Sequence, residues 1–327
     1  MERNVTVARK AVAAPYKEAA KRRSLGSFLG SHVRRALLEV LNLFFNHHWL
    51  FWMVGLINKR LGLIQSVFLV YPASEEYALA YVYPYRLPWV RWKPWPCGLL
   101  WQNGKLSVMF CISASNGQFS DPKNLEKVRC VCDRMDLLRH LLAARGKTFA
   151  GILPGVLYCK RIIKEAPEAD LTATAVCQAI DLVRNQEDMN PQVPIVVLGG
   201  RGFIGRRVVK LLDGLPVYCI DVADGSSKQE WLCQLEGQRV IVVNITLNNA
   251  LADYVDDVWP GTVVINEVYP EPSRDVLDRL KRTGCACYHV VGVKAVALPS
   301  FPAAYRGAIP CCAAWPSHDM KVVVRIL

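Results

Sequence analysis

The 327-residue sequence has no Cys-x-x-Cys and no His-x-x-x-His pair. Its two Cys-x-Cys pairs, Cys130/Cys132 and Cys285/Cys287, lack a second pair at the spacing that closes a tetrahedral zinc site, so no metal is expected. The other cysteines are scattered through apolar segments, as at Cys111, Cys177 and Cys219, in the manner of buried free thiols. That usage argues against a disulfide scaffold and fits a reducing, cytoplasmic compartment. A leader peptide is not expected either, because the basic start runs for 35 residues before an apolar segment and no small-residue cleavage site follows promptly.

Long apolar runs are also missing. Only residues 36–58 approach one, and they include Glu39, Asn42, Asn46, His47 and His48. A charge near mid-span costs roughly 2.5–3.5 kcal/mol on insertion scales. The apolar residues there, Leu37, Leu41, Phe44, Phe45, Leu50, Phe51 and Val54, recur at helical spacing. This predicts an amphipathic helix packed on the protein, ahead of one lying on a membrane, with a true span last. Acidic residues are few: 28 against 40 Lys and Arg, a net charge of +12. Residues 1–35 hold nine basic residues against Glu2 and Glu18, a net +7, so the rest of the chain is only mildly basic. A solvated basic arm is expected, with peripheral membrane contact through residues 1–58 as the alternative; nucleic acid is not favoured.

What is present is enough apolar sequence, 52% of residues, for two domains. Short apolar runs at Val67–Val70, Leu106–Ile112 and Phe149–Leu153 read as strands. Between the first two, Tyr81–Trp101 is rich in aromatics and proline and reads as a loop pinned by its rings, with an apolar substrate groove or base stacking beside Arg86, Arg91 and Lys93 as alternatives. Leu125–Arg145 reads as a helix closed by Gly146, and Thr172–Val183 as a second helix leading into a polar linker, Arg184–Gln192. The expected organisation is a basic arm at 1–35, an amphipathic helix with an α/β substrate domain at 36–190, and a Rossmann-type doubly wound parallel α/β domain with an extension at 191–327.

That last expectation rests on one motif. The continuous apolar run Val193–Leu198 is followed without a gap by Gly199-Gly200-Arg201-Gly202-Phe203-Ile204-Gly205, and a helix is predicted from Phe203 to Leu212. Gly200 permits the tight turn, Gly202 lets backbone approach a pyrophosphate, and Gly205 lets helix and strand pack closely. A helix N-terminus favours the anion. A second strand, Pro216–Ile220, ends at Asp221, 21 residues after Gly200, where a carboxylate meets the adenosine ribose. An acid there points to NAD, with NADP left open. Strands at Arg239–Ile245 and Gly261–Glu267 and a helix at Asp275–Arg282 continue the alternation. Ligands lie beyond strand carboxyl ends in such sheets, which places Asn244, Thr246, Glu267 and Tyr269 toward the nicotinamide.

Gly-Gly-x-Gly-Phe-Ile-Gly resembles the extended short-chain dehydrogenases. None of the twelve tyrosines, however, has the Lys four residues later that forms their catalytic pair, and those enzymes open with the glycine motif, so that family is rejected. Over residues 67–315 the order of parts resembles the cyanobacterial long-chain acyl-acyl-carrier-protein reductases and related predicted amino-acid dehydrogenases. The matching parts are Phe68-Leu-Val-Tyr-Pro72, Gly151-Ile-Leu-Pro154, Leu171-Thr-Ala-Thr-Ala175, the glycine motif, Val264-Ile-Asn-Glu-Val-Tyr-Pro270 and Tyr305-Arg-Gly-Ala-Ile-Pro-Cys311-Cys312-Ala313. The resemblance implies reduction of a small-molecule or carrier-bound acyl thioester, with Cys311 as nucleophile and Cys312 as fallback. Ala314 stands where that family has an acid. Asn244 and Val268-Tyr269-Pro270 suggest instead a shikimate-dehydrogenase-like or methylene-tetrahydrofolate-dehydrogenase-like reaction using Lys147 or Lys160. A non-catalytic Rossmann binding protein at a membrane surface is the third reading.

Overall fold

The computed structural model describes residues 25–72, 78–79, 81–221, 234–246, 250–301, 305–315 and 320–327, with side chains from residue 32 onward. Two helices open it, α1 (Leu25–Phe45) and α2 (His48–Leu61), bent by 76° at their junction. The single helix expected over 36–58 is thus broken at Asn46-His47. Residues 1–24 of the basic arm lie outside the described residues.

A five-stranded sheet follows: β1 (Ile64–Val70), β2 (Trp95–Gln102), β3 (Lys105–Cys111), β4 (Gly146–Phe149) and, from far downstream, β10 (Val296–Leu298), in the order β10-β2-β3-β1-β4. β1 runs parallel to β3 and β4, whereas β2 is antiparallel to β3 and β10 to β2. The loop expected through Trp101 is therefore half strand. Asn103 (φ 49°) and Gly104 (φ 74°) turn β2 into β3, the positive-φ pair that matches strand twist in a two-residue hairpin. The strand expected at Phe149–Leu153 lies earlier, and Leu153 opens a helix, because Gly151 takes a φ of +55° and turns the chain out of the sheet. Helix α3 (Leu125–Leu141) stops short of Arg145, so Gly146 starts β4 and does not cap the helix.

Helix α4 (Leu153–Cys159) and helix α5 (Pro167–Gln186) lead into the second sheet. Its strands are β5 (Ile195–Leu198), β6 (Val217–Ile220), β7 (Ile241–Asn244), β8 (Val263–Asn266), β9 (Ala286–Val293) and β11 (Val322–Ile326), in the order β11-β9-β8-β7-β5-β6. All neighbours are parallel except β11 on β9. β5 pairs with β6 on one side and β7 on the other, so the chain reverses direction across the sheet at β5, as expected of the doubly wound arrangement. Strands β5, β7 and β8 are buried along their whole length, which explains their unbroken valine and isoleucine.

Three apolar layers hold the molecule. Phe51, Val128, Met135 and Leu157 pack helices α2, α3 and α4 on the outer face of the first sheet. Val196, Val242, Leu251 and Leu280 do the same outside the second, where helix α7 (Arg274–Arg282) packs. Between them one continuous core joins Phe68, Leu100 and Met109 of the first sheet to Val176 and Ile180 of α5 and to Val197, Val243 and Ile265 of the second. The units expected to divide near residue 190 are thus interlocked: β10 returns to the first sheet, and a turn of 3₁₀ helix at Cys311–Ala313 packs on the middle core.

Candidate active site

Glycine is obligatory in the turn after β5. Gly199 has a φ of +87°, and a Cβ there would lie 2.8 Å from the Cβ of Thr246, which packs over the turn. At Gly200 a Cβ would meet the Cys219 sulfur at 2.8 Å, and at Gly205 it would overlap the Gly199 carbonyl oxygen. Helix α6 (Gly205–Leu211) starts two residues later than Phe203, but the Arg206 amide already donates to the Gly202 oxygen at 3.1 Å. Arg201 and Asp221 both reach the neighbourhood of Cys219, with opposite effects on its thiol. They follow the carboxyl ends of β5 and β6.

Phe203 and Ile204 turn away from that place. The Phe203 ring lies against α4, where a Cβ on Gly155 would meet it at 3.3 Å, and it is covered by the Arg207 guanidinium 4.3 Å from its centroid. Ile204 packs on the middle core. Both can offer a cofactor only backbone. Asn244 is fully buried and its amide is engaged on both sides: Nδ2 donates to Asn266 Oδ1 at 2.8 Å, and Oδ1 accepts from the Thr246 amide at 3.4 Å. Asn266 Nδ2 in turn donates to the Val268 oxygen at 2.7 Å and to His289 Nδ1 at 3.1 Å. This satisfied chain fixes the ends of β7 and β8, so the side chain of Asn244 is a strut and not a cofactor ligand.

Opposite the glycine turn, across the carboxyl ends of β1, β4 and β8, titratable groups converge. Glu267 follows β8 and is partly buried; its backbone amide donates to the Asn244 oxygen at 3.0 Å, its carboxyl has no hydrogen-bond partner among the described residues, and burial pushes that carboxyl up to about 8. Glu168, in the first turn of α5, is 1% exposed. Its Oε1 accepts the Phe149 amide at 3.1 Å while Oε2 has no partner, and burial lifts it to about 7. Cys312 lies within electrostatic reach of both; burial pushes its thiol up to about 12, and the Gly151 amide works in the other direction, toward the thiolate. Cys311 is buried in the middle core and also raised, first by burial and then by Glu267. Tyr71, whose oxygen accepts the Ile152 amide at 2.8 Å, and Tyr305 complete the group; burial raises both phenols, and Cys312 adds to each shift. The Tyr305 ring lies 5.2 Å from that of Tyr269 and lines a cavity of about 400 Å³ together with Val296, Phe301 and Arg306.

Lys147 lies at the edge of this group: its charge reaches Glu168, but it points to the α3 side of β4, paired with Asp136 and 3.3 Å from the Cys132 sulfur. Lys160 is exposed at the end of α4. Among the described residues no cluster of His, Cys, Asp and Glu could hold a metal ion. Glu168, Tyr71 and Tyr305 escaped sequence reasoning. A Pro-Glu-Ala helix start reads as an ordinary solvated first-turn acid, and nothing local reveals that α5 is covered on that side.

Residues 195–277 match the model of the NAD dependent epimerase/dehydratase family. The match begins at β5 and ends within α7, about a quarter of the chain, and includes Gly-Gly-x-Gly-Phe-Ile-Gly. No curated protein matches the chain. Among solved structures it is similar to shikimate 5-dehydrogenase from Listeria monocytogenes, in complex with shikimate and NAD, at 12% identity over 69% of this chain and 86% of that one, with a TM-score of 0.37.

Proposed function

We propose that the protein is an NAD-dependent oxidoreductase that reduces a carrier-bound or small-molecule acyl thioester, with Cys312 as the attacking thiol in place of Cys311. The observation that carries this reading is the convergence of Cys312, Glu267 and Glu168 opposite a glycine turn built for a dinucleotide. The turn fits the cofactor because Gly200 and Gly205 let it close against Cys219 and the Gly199 oxygen where a Cβ would clash, Gly202 would let a pyrophosphate approach the backbone, and Asp221 would take the ribose hydroxyls and repel a 2′-phosphate. When bound, NADH supplies the hydride that takes the acyl group to the aldehyde level.

Both cysteines are held as thiols at neutral pH, so the nucleophile needs a base at hand. A carboxyl poised near 8 suits that role, because proton transfer is most efficient when the pKa lies near the working pH. Glu267 takes the Cys312 proton as the sulfur–carbon bond forms, and returns it to the carrier thiolate as that bond breaks. When the aldehyde departs, the Cys312 sulfur takes a proton from water at the partly open cleft. Both cysteines pack on the middle core; Cys312 is preferred because it is half-buried where Cys311 is buried, and because it has the Gly151 amide to support its thiolate. The apolar wall of Val296 and Phe301 with Arg306 at its edge suits an acyl chain on an acidic carrier.

Titration with NADH and NADPH, following nicotinamide fluorescence in wild type and Gly202→Asp, tests the cofactor site. Saturable NADH binding abolished by the substitution is expected; no binding of either nucleotide overturns the oxidoreductase reading and leaves a non-catalytic binding protein. Incubation with acyl-coenzyme A thioesters without NADH should release free thiol and add an acyl mass that Cys312→Ser does not acquire. Turnover that survives Cys312→Ser without any adduct would replace the covalent step by direct reduction.

A further inference from the structure

Among the described residues, thirteen of the twenty-five exposed large hydrophobic side chains fall within residues 33–63, on α1, α2 and the turn after them. On α1, Val33, Leu37, Val40 and Phe44 repeat at three- and four-residue spacing and are 51–66% exposed, while Leu38 faces inward at 4%. On α2, Trp49, Trp52 and Leu56 form the same kind of stripe, with Phe51, Gly55 and Asn58 on the buried side. Both helices are amphipathic, yet their wider apolar faces look outward. This reverses the expectation that the periodic residues Leu37, Phe44 and Phe45 pack on the protein.

We propose that α1 and α2 form a docking face for an anionic lipid bilayer, lying in the headgroup region without crossing it. This inference stands apart from the assigned chemistry. The charge on these helices and in the sequence leading into them selects the occupant. Residues 1–35 carry a net +7, and exposed Arg34, Lys59 and Arg60 lie on the two helices themselves. Each basic residue near an anionic surface contributes about 1 kcal/mol. A second copy of the chain would bring the same positive charge against itself across a twofold contact, so self-association is disfavoured where lipid is favoured. Trp49 and Trp52 are of the type that settles at the membrane–water boundary.

The inner side of α2 settles the depth. A Cβ at Gly55 would overlap the Leu141 carbonyl oxygen, so α2 packs backbone to backbone on the end of α3. Asn58, 5% exposed, donates to the oxygens of Ile64, Leu142 and Ala143 at 2.9–3.1 Å and accepts the Ile64 amide at 2.7 Å. A helix fastened in this way cannot enter the hydrocarbon centre without taking α3 with it. Among the described residues no single helix is long and apolar enough to cross a membrane, although the bent pair satisfies length and composition together. The geometry is that of an interfacial helix pair on a rigid seat.

The test is flotation of the full-length protein with vesicles of phosphatidylcholine alone and with vesicles enriched in phosphatidylglycerol, at low and high salt. Flotation with the anionic vesicles only, weakened by salt, is expected. The variant Trp49→Glu/Trp52→Glu should bind about tenfold more weakly or less, since burying one large apolar side chain already shifts an equilibrium by that much. Both positions are over half exposed, so the variant should keep its circular dichroism and its NADH titration. No flotation with either vesicle, equal binding by the double variant, equal binding to both vesicle types, or a dimer that the double variant splits into monomers would each overturn the proposal.

Discussion

Two groups of polar side chains meet around the end of β8, and they are built oppositely. Asn244, Asn266 and His289 are each within 1% of full burial, and their side chains form one hydrogen-bonded chain. Beside them, the Glu267 carboxyl and one oxygen of Glu168 have no partner among the described residues, and Cys312 is caught between the two carboxyls. Burial opposes charging in both places: it lowers His289, which remains a neutral acceptor for Asn266, and it raises the acids. The satisfied group is rigid and has no proton to move near neutral pH. The unsatisfied one holds protons that can be moved, at a cost in stability, which is the pattern expected of chemistry and not of support.

The sharpest way to break this contrast is at Cys312. Cys312→Ser should lower turnover on the order of 10⁴-fold or more, the scale of a lost nucleophile, while Cys311→Ser stays within roughly tenfold and instead loses about 1–3 kcal/mol for a hydroxyl placed in the core. Steady-state rates and urea unfolding read both. Next is Glu267→Gln, where turnover should fall about 10²–10⁴-fold. Its effect on stability runs the other way. Burial holds the Glu267 proton to about 8 against an ordinary 4.5, so folding takes up a proton between those values and stability falls as pH rises through that window. Gln has no charge to desolvate, so at pH 8 the variant should exceed wild type by on the order of a few kcal/mol. Glu168, with the same sign and a value of about 7, keeps a smaller slope in the variant. Tm measured from pH 5 to 9 distinguishes this from a merely structural glutamate, whose loss would lower Tm throughout.

Asn266→Ala should show the inverse signature. It leaves Asn244 Nδ2, the Val268 oxygen and His289 Nδ1 without partners, so a loss of about 3 kcal/mol is expected, with NADH affinity within a few-fold once the protein is folded. A collapse of cofactor binding at unchanged stability would show that the chain of amides is part of the site.

The same division separates what the sequence disclosed from what it withheld. The dinucleotide turn was legible because its requirements are local: a buried strand, glycines at three fixed offsets and an acid 21 residues on. Thr246 and Glu267 do follow the ends of β7 and β8, but the rule that ligands lie beyond strand ends cannot tell an engaged Asn244 from an available one. The cleft cluster was illegible because it is assembled from β1, β4, α5, β8 and the 3₁₀ turn, whose meeting depends on β10 returning to the first sheet. The β2–β3 hairpin was different: Gln102-Asn103-Gly104-Lys105 carries its own turn signal, and the tryptophans around it drew the reading toward a loop.

The smallest expected effect concerns Lys147 and distinguishes two chemistries. In a lysine-dependent dehydrogenase the ammonium must reach the substrate, yet here it is two residues upstream of the end of β4, on the face covered by α3, paired with Asp136, which also meets Arg139 at 3.7 Å. Lys147→Met keeps the aliphatic stem that packs there and removes only the charge. The ion pair is partly exposed, with side chains 18% and 39% accessible, so its loss should cost about 1 kcal/mol or less. Turnover should stay within about twofold, since proton-transfer groups typically contribute 10²-fold or more. A fall of that larger size at unchanged stability would move the chemistry from Cys312 to the lysine, and with it the whole assignment of the two polar groups.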